Sequence, residues 1–242
     1  MRLLIAVFTA LLSFVSSASS EDTKLTLNQW LDQEYEQELQ RSPLTLTIYG
    51  RKDKYDQVDA RTVQASLAEI DTLVDSVERM EKHYDYKTLS PQEQMSYDFW
   101  KFRAESETAQ RPFQYHAYTF NQFRAPHTYP VGFLLNYHQV DSEADMLAYI
   151  ERVKGLSRAL GEAVVISKKS AQMGIRPPLF AYESVLAESR KVIAGKPFDD
   201  SAKDSVIWAD GSAKIAALVK SGEIDGARQR ELSDRLEKNL LN

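Results

Sequence analysis

Four histidines, His83, His116, His127 and His138, are the side chains here best suited to ligate a metal or to move a proton near neutral pH. The last three fall at even intervals, which raises the idea of a three-histidine metal site. Two ligands on one helical face need i, i+4 spacing, however, and Pro126 and Pro130 stand among these three. That spacing favours hydrogen-bonded packing among neighbouring aromatics. His83 closes a helical stretch beside Glu81, Lys82 and Asp85, where a favourable contact with the helix C-terminal dipole accounts for it. Carboxylates are plentiful but scattered. A glycosidase pair must face across about 5–10 Å, which sequence spacing does not specify. Asp141, Glu143 and Asp145 cluster at a helix start, where negative charge is expected in any case. No serine stands in a Gly-x-Ser-x-Gly setting, and neither a Gly-rich phosphate loop nor a His-Glu-x-x-His motif occurs. No position is therefore assigned a catalytic role, and none is assigned to a metal.

The stretch from Arg111 to His138 is the best candidate binding surface. It carries Phe113, Tyr115, Tyr118, Phe120, Phe123, Tyr129, Phe133 and Tyr137. Such rings can fill a helical core, each burying about 150–250 Å². Some can instead line a groove for a peptide or another extended ligand, with Asn121, Gln122 and His138 as its polar groups. Both readings stand at this level.

The elements that must position this stretch read as helices. Thr26-Leu27-Asn28-Gln29 is a capping-box pattern, and Ser42-Pro43 stops the helix it opens. Leu44 to Tyr49 fits a short strand or a turn of helix, ended by Gly50. Val63, Leu67, Ile70, Leu73, Val74, Val77 and Met80 recur at helical spacing, the strongest periodic signal in the chain. Ser90-Pro91-Gln92-Glu93 opens a further helix, with Met95, Phe99, Trp100 and Phe102 as its expected buried side. Pro112, Pro126 and Pro130 exclude one continuous helix across the aromatic stretch. Helical order returns at Ser142, with Gly155 loosening the end of that helix, and Leu160 to Met173 continues as a helix closed by Gly174. Pro177-Pro178 starts another, carrying Val185, Leu186, Val192 and Ile193. Asp199 to Asn242 reads as two or three short helices broken at Gly211 and at Gly222–Gly226. The expected fold is an all-α multi-helix array.

The chain has 242 residues, of which 43% are hydrophobic and 27% charged, an ordinary globular composition. Its formal net charge of -5 argues against a nucleic-acid partner and against a polybasic membrane-surface role. Cysteine is absent, which excludes disulfides, thiolate metal sites and a cysteine nucleophile. At the start, Met1-Arg2 is followed by the apolar run Leu3 to Val15 and then by Ser16-Ser17-Ala18-Ser19-Ser20, the layout of a secretory signal peptide. The run is short for a bilayer span, which takes about 20 residues. The expectation is a signal peptide over residues 1–18, cleavage after Ala18, no stable membrane anchor in the mature chain, and a periplasmic or secreted location.

Several short motifs then fall in a familiar order. Gln40-Arg41-Ser42-Pro43, Thr47-Ile48-Tyr49-Gly50 and Tyr55-Asp56-Gln57-Val58-Asp59 come first. Ser96-Tyr97-Asp98-Phe99, Phe120-Asn121-Gln122 with Pro130 and Phe133-Leu134, and Asp145 with Ala148-Tyr149-Ile150 and Arg152 follow. Gly174-Ile175-Arg176-Pro177-Pro178 and Pro197-Phe198 complete the series. This order resembles the bacterial domain-of-unknown-function 885 (DUF885) family. Departures are Phe123-Arg124-Ala125-Pro126, where the family usually has a Gly, and His138-Gln139, where it tends to His-Pro. The resemblance implies a helical, exported, zinc-metallopeptidase-like protein whose His-Glu metal helix lies in a following half. Residues 19–242 are then expected to be the N-terminal, substrate-channel portion of such a domain, truncated and inactive alone. Zinc is expected only in the missing C-terminal half, and the partner is a peptide substrate. The alternative is a stand-alone periplasmic helical binding or scaffold protein.

Overall fold

A computed structural model describes residues 25–123 and 126–242. The signal-peptide reading of residues 1–18, with cleavage after Ala18, falls outside them. The described residues form an all-α multi-helix array whose strand content is one isolated bridge between Lys196 and Asp204. Among them no helix is long and apolar enough to cross a membrane.

In chain order the helices are α1 (Leu27–Arg41), α2 (Pro43–Ile48), α3 (Val63–His83), α4 (Pro91–Ala109), α5 (Tyr129–Asn136), α6 (Glu143–Gln172), α7 (Leu179–Val192), α8 (Val206–Ser221) and α9 (Gly226–Leu241). Their starts follow local side-chain chemistry. Thr26 with Gln29, Ser90 with Glu93 and Ser142 with Asp145 each form a capping box, in which side chain and backbone satisfy each other's free N–H groups. Leu44 to Tyr49 resolves as helix, because Pro43 sits in the first turn of α2, where a missing N–H costs nothing. Pro130 does the same for α5, and, as expected, no continuous helix crosses the aromatic stretch, whose described helical parts are α5 and a 3-10 turn at Arg111–Phe113.

Two apolar cores hold the array together. One joins α1, α3 and α4 through Leu27, Leu73, Val77, Met80, Tyr97 and Trp100. The larger gathers α5, α6, α8 and α9 through Phe133, Leu134, Met146, Tyr149, Ile150, Ile215, Leu232 and Leu236, with Leu44 of α2.

Three sequence expectations need correction. The break expected at Gly211 does not occur: α8 runs through it from Val206 to Ser221, and a Cβ there would lie 2.5 Å from Leu236 Cδ2. α4 turns Tyr97, Trp100 and Ala104 inward, while Met95, Phe99 and Phe102 are 72%, 66% and 64% exposed. Both sets are good helical stripes on opposite sides of α4. The indole N–H of Trp100, which donates to Ser76 Oγ at 2.9 Å, fixes which one is buried. α6 is one helix of 30 residues, running through Gly155 and Gly161 without a break. A helical glycine costs only about 1 kcal/mol, and Gly155 has a packing reason: a Cβ there would lie 2.7 Å from Val58 Cγ2. The 51–62 loop crosses α6 at that point.

Gly195 closes the turn between α7 and α8. Its φ is +100°, and a Cβ would meet Ser205 N at 2.5 Å and Lys203 O at 2.7 Å, both of them backbone atoms that cannot swing away. Gly195→Ala should therefore lower stability by about 3 kcal/mol, as left-handed strain and a backbone clash add. Urea denaturation followed by circular dichroism will read this, and a loss under about 1 kcal/mol would show that the turn yields.

Candidate ligand groove

The aromatic stretch is held by a buried polar knot built on α6. Arg152 is fully buried and engages four acceptors: Gln57 O at 3.2 Å, Pro43 O at 3.3 Å, Thr47 Oγ1 at 2.6 Å and His138 Nδ1 at 3.0 Å. Its guanidinium lies over the rings of Tyr55, at 4.6 Å, and Phe133, at 5.2 Å. Because Arg152 donates to Nδ1, the proton of His138 sits on Nε2 and is donated to Asp145 O at 3.1 Å. Tyr55 stacks on His138 at 4.2 Å and donates its hydroxyl proton to Gln139 O. The Asp145 carboxylate accepts from the N–H groups of Asp141 and Ser142 and from Lys52 Nζ. Burial pushes His138 down to about 3 and Arg152 down to about 10, so at neutral pH the imidazole is neutral and the guanidinium charged.

Next to this knot, α6 together with residues 117–123 and 126–130 lines two adjoining apolar cavities. The first, about 520 Å³, is walled by Leu156, Ala159, Leu160 and Ala163 of α6 and by Phe123, Tyr129 and Pro130 opposite. Ala159 and Ala163 create its depth, since larger side chains there would fill it. The second, about 290 Å³, lies further along α6 between Phe120, Val164 and Ile175 and the α7 residues Tyr182, Val185 and Leu186. Thr119 borders both, so together they form a groove along α6. α7 buries only Ala181 fully; Leu179 and Phe180 are mostly exposed, and so is Leu186 on the wall of the second cavity. The first cavity falls within the range of about 300–1,000 Å³ that holds small ligands. A larger cleft of about 610 Å³ lies between α1, α3 and α4. Many charged side chains line it, among them the pairs Arg103–Glu38 and Arg41–Glu69, and Asp59 and Arg61 stand on its wall as well.

The predicted polar groups do not stay together. Asn121 folds onto its own loop, accepting from Phe123 N at 2.9 Å and donating to Tyr118 O at 3.1 Å. Gln122 is half-buried beside it. His138 is buried in the knot with both ring nitrogens engaged, so it supports the groove from behind. One group missed by sequence reasoning borders the groove. Arg61 lines the first cavity, and no motif pointed to it. His127, read from sequence as a packing residue, is buried and donates from Nε2 to Glu188 of α7 at 2.9 Å, which ties the aromatic segment to α7; its Nδ1 has no partner among the described residues. Its link to an acid 61 residues away has no local signature.

Among the described residues no three of His, Cys, Asp and Glu stand together as a metal-ligand set. A family model described as "Bacterial protein of unknown function (DUF885)" matches residues 43–242. No curated protein and no solved structure matches the chain significantly.

Proposed function

Because the chain belongs to the DUF885 family, we propose that it forms the substrate-binding wall of an exported peptidase-like hydrolase, with the α6 groove receiving an extended peptide that bears apolar side chains. The observation that carries this reading is the pair of cavities joined at Thr119, each walled mainly by apolar side chains. The exposed apolar residues of α7 support it as the rim on which more of a peptide rests. Export rests on the residue pattern of 1–18. In this reading the groove binds and positions the peptide.

A fluorescein-labelled library of short apolar peptides, followed by anisotropy, tests this reading. Ala163→Trp should fill the first cavity and weaken binding at least about tenfold, with the helical circular dichroism unchanged. Binding that survives the substitution, or the absence of any binding peptide, would remove the groove from consideration. Peptide hydrolysis by this chain that a chelator abolishes would overturn the assignment of binding alone.

A second reading, a stand-alone periplasmic helical binding or scaffold protein, is favoured by the solvent-facing stripe Met95, Phe99 and Phe102 on α4, which serves no groove. Apolar patches of this kind mark contact surfaces.

A further inference from the structure

The first cavity has one charged wall residue among those described, Arg61, which stands at its edge, where it also borders the charged cleft between α1, α3 and α4. Its backbone N–H donates to Glu162 Oε2 at 2.7 Å, which fixes the chain against α6. Glu162 itself is paired with Arg158, so its charge is already met. The Arg61 guanidinium carbon stands 5.5 Å from the centre of the Tyr129 ring, another wall of the same cavity. Among the described residues no ion pair includes Arg61, whereas Arg41, Arg103 and Arg158 nearby are all paired with carboxylates. An apolar pocket with a single forked donor at its edge is built for an apolar body that ends in one planar anion.

Resting on the groove reading above, we infer that the cavity takes a monocarboxylate with an apolar body, and that Arg61 clasps the carboxylate while Tyr129 holds the guanidinium in place. Arg61 is thus a specificity residue. It selects for a free carboxylate, whereas the α6 wall selects for apolar bulk. Two sources share this chemistry: the free C-terminal residue of a peptide and a medium-chain fatty acid.

Calorimetric titration of the full chain distinguishes them. The probes are an acetylated tripeptide ending in Leu-Phe with a free carboxylate, the same peptide as its C-terminal amide, decanoate, and decanamide. The acid should bind at least about tenfold more tightly than its amide. Arg61→Gln should erase that difference by weakening the acid to the level of the amide, and Arg61→Lys should retain part of it. A preference for the acid seen with the peptide supports both the anchor and the groove. The same preference with decanoate alone supports the anchor and removes the peptide reading. Equal binding of peptide acid and amide overturns the anchor and leaves the groove standing. A preference that persists in Arg61→Gln also overturns the anchor. Failure of all four probes to bind a chain that melts cooperatively overturns both.

Discussion

Arg152→Met should cost this protein about 4 kcal/mol, a large part of the stability of an ordinary domain, which is about 5–15 kcal/mol. The reason lies in what stays behind. Replacing a buried charge together with its partners by apolar groups is often harmless, whereas removing one side of the arrangement leaves the other unsatisfied. Here Gln57 O, Pro43 O, Thr47 Oγ1 and His138 Nδ1 all lose the donor that reaches them. Thr47 keeps its bond to Pro43 O, so the loss is less than four full bonds. Arg152→Lys preserves the charge but not the fork, and should fall between wild type and Arg152→Met. Urea denaturation of the three proteins, with midpoints and slopes compared, will read the order. A methionine variant within about 1 kcal/mol of wild type would mean that the knot contributes little to the fold.

The second large effect is an acid-driven loss of stability centred on His138. In the folded chain this imidazole takes up a proton only near pH 3, against an ordinary value of 6.5. Between those limits the unfolded chain binds a proton that the folded one refuses. Stability therefore falls as the pH drops from 6.5 towards 3. The slope approaches about 1.4 kcal/mol per pH unit and the total about 4–5 kcal/mol. Asp145 adds a further loss at the acid end. Burial alone would raise its carboxyl, but Lys52 and the N–H groups of Asp141 and Ser142 outweigh burial and hold it below the usual range. Its contribution is present above 3.8 and disappears as the pH falls through the lowered value. Stability measured against pH for wild type and His138→Gln separates the two groups. The gap between the curves should change steeply between pH 6 and pH 4, and parallel curves would show that His138 does not govern the acid limb. The same burial explains why His138, read from sequence as a groove residue, acts from behind the groove.

Much of the architecture was legible in the residues. Capping boxes at Thr26, Ser90 and Ser142, and Pro43 and Pro91 at first-turn positions, announce helix starts through bonds that span three or four residues. The motifs behind the family resemblance were legible too. The structure explains why they travel together: Pro43, Thr47, Tyr55, Gln57, Asp145 and Arg152 converge on one buried knot, although Arg152 stands 109 residues from Pro43. The groove was only half legible. Its aromatic wall was named, but its floor, Ala159 and Ala163, is marked by what those side chains lack, and small residues in a helix carry no distinctive signal. Gly155 misled for a related reason: in sequence it reads as a helix weakener, and only Val58 pressed against it shows why the helix continues there.

By itself the sequence determined the helical class and the places where most helices begin, because those follow from near-neighbour hydrogen bonds and from apolar periodicity. The tertiary structure alone decided which stripe of α4 is buried, that His138 joins Arg152 rather than Asn121 and Gln122, and that Arg61 stands at the edge of an apolar cavity. Periodicity fixes the faces of a helix but not which face meets a neighbour, and a burial site exists only once segments a hundred residues apart have closed around it.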